Sequence, residues 1–127
     1  MFSSLFQFKT ITDEKGNEYV LFEQSSLSSI KGIRDRTEFE ACENHVHLFD
    51  NLKKDDFSAS LNAAEVLAQA LLDVLRFRFP QKHFFVYVTA HKGDSIIIRF
   101  HQKWENEEPY FDPIFSTPKD RIFKIES

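Results

Sequence analysis

The stretch from Ser60 to Trp104 constrains the fold more than any other part of the chain. Leu61, Ala64, Ala68, Leu71 and Leu75 recur at helical spacing, and Leu67, Leu72 and Val74 widen the apolar arc. Ser58 and Ser60 are candidate N-caps, and Asn62 followed three residues on by Glu65 fits a capping box. Arg76 and Arg78 complement the negative end of the helix dipole, and Pro80 stops the helix. The pattern predicts a helix over 60–79, and an arc this wide requires a sheet along most of its length. An aromatic hairpin follows: residues 84–88 form a strand, 91–94 a turn and 95–100 the return. Ile96, Ile98 and Phe100 share one face with Gln102 and Trp104, whereas Ile97, Arg99 and His101 share the other. The first face is assigned to the core beneath the helix.

The remaining segments read mostly as short strands. Residues 5–9 and 18–24 form a hairpin around Asp13-Glu14-Lys15-Gly16-Asn17, which supplies the residues a reversing turn needs. Residues 36–42 read as a strand with Phe39 and Ala41 inward, and 45–49 as a second, with Glu43-Asn44 at the turn. A helical turn is the alternative for these short pieces. A last strand covers 121–125, after the irregular stretch 109–118. The expected fold is α+β: an antiparallel sheet of about five to six strands in a meander, with one long helix on one face. At 127 residues the chain is expected to form a single domain, 1–127, able to build a core without disulfide or metal staples.

Charge and composition exclude more than they identify. A formal net charge of −4 argues against nucleic acid as the main partner, because phosphate binding needs a basic face. The single cysteine, Cys42, has no internal partner and fits a reducing compartment. The N-terminal residues lack the basic and apolar regions of a secretory signal, and no apolar run reaches transmembrane length, so a cytoplasmic, membrane-free protein is expected. The glycines Gly16, Gly32 and Gly93 belong to no phosphate-cradling loop, and no nucleophile-elbow serine is present. The sequence offers no catalytic residue, no metal site and no cofactor motif of recognisable spacing.

Four features invite a functional reading. His45 and His47 project from one strand face, and Glu43 or Asp50 could add oxygen for a small metal-assisted enzyme, although metal sites use three or four ligands at fixed spacings. Cys42 lies between Glu40 and Glu43, whose charge would raise its thiol pKa, so an inert, partly buried cysteine is expected. The outer hairpin face, Phe85, Tyr87, Arg99 and His101, resembles an RNA-stacking platform if exposed, and equally a homodimer interface. The most suggestive segment is 104–113, which combines the aromatics Trp104, Tyr110 and Phe111 with the carboxylates Glu105, Glu107, Glu108 and Asp112 and two prolines. Aromatic anchors among charges are the composition of binding hot spots, and the competing reading tucks the aromatics into the core.

These acids and aromatics, with Glu38, Glu40 and Glu43 as a second acidic run, resemble the immunity proteins of bacterial polymorphic and contact-dependent toxin systems. The resemblance implies a non-enzymatic protein that neutralises a cognate, basic toxin domain by direct binding through Trp104, Glu105, Glu107, Glu108, Tyr110 and Asp112. An acidic surface would then speed encounter.

Overall fold

The structure, a computed structural model, describes residues 6–27, 29–49, 57–91, 95–111 and 120–127. The elements run β1 (Phe8–Thr12), β2 (Glu18–Phe22), α1 (Arg36–Glu43), β3 (His45–Phe49), α2 (Phe57–Arg78), β4 (Phe84–His91), β5 (Ile96–Gln102) and β6 (Asp120–Glu126). Every strand pair is antiparallel, and the class is α+β as expected. The strands do not form one meander, however. β1 and β2 make a separate ribbon, and the main sheet has the order β3-β5-β4-β6.

The first hairpin pairs Phe8 with Phe22 through to Thr12 with Glu18, three residues further along than the sequence pattern placed its start. The shift follows from a tight turn. The Asp13 carboxylate accepts the N–H groups of Lys15 and Asn17 at 2.9 Å each, and Gly16 takes the positive φ of +87° that the reversal needs.

Two further differences concern helices. Residues 36–42 form α1, the helical alternative, and not the strand. The Asp35 side chain accepts from the Glu38 N–H at 2.9 Å, and helical spacing puts Thr37, Glu40 and Ala41 on the buried side. Helix α2 starts at Phe57, so Ser58, Ser60 and the Asn62–Glu65 pair lie inside it rather than capping it. Phe57 and Leu61 pack against the main core, which extends the helix N-terminally. Asp50, the 92–94 turn and Asp112 lie outside the described residues.

The inward face of α2 is the one its periodicity marks. Ala64, Ala68, Leu71 and Leu75 pack on Phe84, Val86 and Val88 of β4 and on Ile96, Ile98 and Phe100 of β5. Each such leucine contributes about 1.5–3 kcal/mol by burial. Strand β2 is buried on both sides. Val20 and Phe22 join the main core, and Tyr19 and Leu21 form a second cluster with Ile30, against Phe39 and Trp104.

The opposite face of the main sheet is covered, which corrects the expectation of an open platform. Tyr87 is 0% exposed, His101 1% and Phe85 is buried. Phe111 packs edge-on to Tyr87, the Arg99 guanidinium lies 5.2 Å from the Tyr110 ring and donates to the Ala41 carbonyl of α1. Among the described residues, no helix is long and apolar enough to cross a membrane.

Candidate binding surface around helix α1

The site is organised by one buried carboxylate. Glu40 is 0% exposed, and its two oxygens accept four N–H groups: Val20 N–H at 3.0 Å, Gln102 N–H at 2.5 Å, Gln102 Nε2–H at 2.7 Å and Trp104 Nε1–H at 3.0 Å. Four residues on, Asn44 continues the arrangement. Its Oδ1 accepts from Phe22 N–H, its Nδ2–H donates to the Val20 carbonyl, and its own carbonyl accepts from Phe100 N–H. Gln102 Nε2–H also reaches the Glu18 carbonyl at 3.0 Å. The unpaired edge of β2 and the end of the β5 edge thus meet Glu40 of α1 and Asn44 at its C-cap where a strand would otherwise run. This joins the ribbon to the main sheet and leaves the buried backbone groups satisfied.

Burial pushes the Glu40 carboxyl up to about 7, against the four donors, which favour the charged form. Among the described residues no cation pairs with it. Glu40 therefore leaves the acidic surface run to which the sequence assigned it.

The acidic-aromatic segment divides into structural and free residues. Partial burial alone would raise the Glu107 carboxyl, but hydrogen bonds from Arg36 and Thr37 hold it down to about 2. Its Oε2 lies 2.8 Å from Arg36 Nε, and its Oε1 accepts the Thr37 N–H at 2.7 Å, so it closes the N-terminus of α1. Arg36 in turn stacks over the Trp104 ring at 4.8 Å and donates to the Glu105 carbonyl. Trp104 packs on Tyr19 while its indole N–H reaches Glu40. Asn106 turns the loop with a positive φ of 64°. The side chains of Glu105 and Glu108 remain exposed.

Tyr110 and Phe111 close the next corner. Buried His101 donates from Nδ1 to the Gln102 carbonyl at 2.7 Å, and its Nε2 accepts from Tyr87 Oη–H at 3.0 Å and Tyr110 N–H at 3.2 Å. Desolvation lowers the His101 pKa to about 4, so the ring is neutral near pH 7, and burial raises the Tyr87 hydroxyl to about 12. Cys42 is exposed, not partly buried as expected, with its Sγ 3.7 Å from the Tyr110 hydroxyl.

What these anchors present to solvent is an acidic groove. A depression of about 390 Å³ runs between α1 and the 106–110 loop, lined by Asp35, Glu38, Glu107, Glu108, Pro109 and Tyr110, with Thr37 and Asn106. None of its lining residues carries a positive charge. A second depression continues along the outer side of α1, where Asp35, Glu38 and Glu43 border Ile33 and Phe39, with Arg34 at its end. The acids Asp35, Glu38 and Glu108 are exposed, and the aromatic floor is fixed by its contacts with Arg99 and His101.

The other sequence candidates do not join this surface. His45 and His47 are exposed on β3 with ring centroids 5.8 Å apart, and His45 Nδ1 bonds the Cys42 carbonyl. Glu43 accepts from Ser25. Among the described residues no three His, Cys, Asp or Glu side chains converge as a metal ion would require. Sequence reasoning missed Asp35 as a site residue and misplaced Glu40. The Asp35-x-x-Glu38 cap and the Glu40-x-x-x-Asn44 spacing were the signals for both. Comparison with protein-family models, with curated proteins and with solved structures finds no match to this chain.

Proposed function

We propose that the protein is a non-enzymatic binding protein whose acidic groove along α1 docks a basic segment of a protein partner. Neutralisation of a toxin domain, as immunity proteins perform, is the most specific form of this reading. One observation carries it. Three exposed carboxylates, Asp35, Glu38 and Glu108, line a groove with Pro109 and Tyr110 in its wall, beside Glu107, whose charge is paired with Arg36. The cost of desolvating an arginine or lysine is offset where carboxylates and an aromatic ring receive it together.

The rigidity of the frame supports the same reading. The Glu107, Trp104 and Tyr110 side chains are each held, by Thr37, Glu40 and the Arg99 guanidinium respectively, so little side-chain freedom is lost on docking. Glu107 therefore anchors the groove from inside, whereas Glu38, Glu105 and Glu108 are the residues available to steer a partner.

Affinity capture from the native cell, with wild type and a Glu38→Arg/Glu105→Arg/Glu108→Arg variant side by side, tests the proposal. A basic protein retained by wild type and lost from the variant is the expected result. Identical partners on both baits would remove the groove from the account.

A further inference from the structure

The solvent side of α2 carries two large apolar side chains that the fold leaves uncovered, Val66 at 70% and Phe77 at 84% exposed. They are eleven residues apart, which is three helical turns, and so lie on one line. Ala59, Ala63, Ala70 and Asp73 complete that line at alternating spacings of four and three, the repeat of a two-helix seam. The line spans about 27 Å of helix.

We propose that this face binds a second copy of the chain, with α2 packed antiparallel on its twin about a two-fold axis at Ala70. The size pattern fits that arrangement. The line is small at its N-terminal end and bulky at its C-terminal end, so an antiparallel pair sets each Phe77 over Ala63 of the second copy. A parallel pair would set Phe77 against Phe77 and Asp73 against Asp73, an aromatic clash in volume and a like-charge repulsion.

The charges fit it as well. Glu65 and Arg76 flank the line on the same side, and the antiparallel register brings Glu65 of each copy level with Arg76 of the other. Neither side chain forms an ion pair within its own chain among the described residues. Asp73, on the line itself, comes level with Val66 of the second copy, and its carboxylate keeps the hydrogen bond from Gln69 at 3.1 Å. One helix pair is a small interface, so the dimer is a weak one in the micromolar class. Helix α1 and its groove lie on the other side of the main sheet, so self-association leaves the acidic surface open.

Sedimentation velocity of the full chain, from micromolar to near-millimolar concentration, reads the dimer directly. Phe77→Ser, at an exposed site that folding does not need, is expected to raise the dissociation constant about tenfold or more. Glu65→Arg alone is expected to weaken the dimer, and adding Arg76→Glu to restore it. In a Cys42→Ser background, Ala70→Cys is expected to form a disulfide between copies on oxidation. A wild-type chain that stays monomeric throughout overturns the proposal, as does a dimer indifferent to Phe77→Ser. Failure of the second charge swap to restore association overturns the antiparallel register.

Discussion

Glu40 and His101 sit two shells apart in one buried network and titrate in opposite senses, which gives the folded chain a concealed pH dependence. The Glu40 carboxyl rises from 4.5 in the unfolded chain to about 7 on folding. Its contribution is therefore fully present below pH 4.5 and is lost as pH rises through 7. The His101 ring falls from 6.5 to about 4, so its contribution is present above pH 6.5 and is lost as pH falls through 4. Each shift corresponds to about 3 kcal/mol. Between pH 4.5 and 7 the two slopes oppose, and wild-type unfolding free energy is expected to stay nearly level. Glu40→Gln removes one slope and exposes the other, so the variant should gain about 3 kcal/mol of stability from pH 4.5 to 7. Its deficit against wild type is then largest at low pH. There the amide –NH₂ faces two N–H donors that a carboxyl oxygen accepted, and each stranded donor costs about 1–3 kcal/mol. Urea unfolding followed by fluorescence of Trp104, the chain's single tryptophan, reads both curves. Parallel wild-type and variant curves across this window would refute the reasoning, because they would mean that Glu40 does not titrate on folding.

Glu107→Ala should lower stability by about 1–2 kcal/mol through loss of the α1 N-terminus, whereas Glu105→Ala and Glu108→Ala should stay within about 0.5 kcal/mol, as thermal melts would show. Leu71→Ala, which empties a fully buried site under α2, should cost about 2–5 kcal/mol in urea unfolding. Cys42 should react with a thiol reagent in the native state at a rate close to that in the unfolded chain, since its side chain is exposed; strong protection would contradict its placement.

The elements that declared themselves in the sequence are those whose periodicity decides their packing. The arc of Ala64, Ala68, Leu71 and Leu75 could face only a sheet, and the alternation of Ile96, Ile98 and Phe100 picked out the face beneath it. Residues 36–42 are ambiguous because seven residues carry little periodic signal, and because the buried side of α1 includes Thr37 and Glu40, polar residues that a hydrophobic pattern places outside. Burial of Glu40 depends on donors from Val20, Gln102 and Trp104, some 20 to 64 residues away, which no local pattern encodes. The covering of Tyr87 and His101 has the same origin: Tyr110 and Phe111 fold back over the sheet because Arg99 and His101 offer them partners. Within the acidic segment, sequence could name the carboxylates but could not separate Glu107, bound to Arg36, from Glu105 and Glu108, which face water.

The proposed function turns on whether the exposed acids along α1 steer a basic partner. Association kinetics with the captured partner, measured across ionic strength for wild type and for Glu38→Arg/Glu105→Arg/Glu108→Arg, tests this most directly. A wild-type on-rate that falls steeply with salt, and a variant that is slow at low salt and nearly independent of it, is the predicted outcome. Equal on-rates with the same salt dependence would contradict the acidic groove as the binding surface.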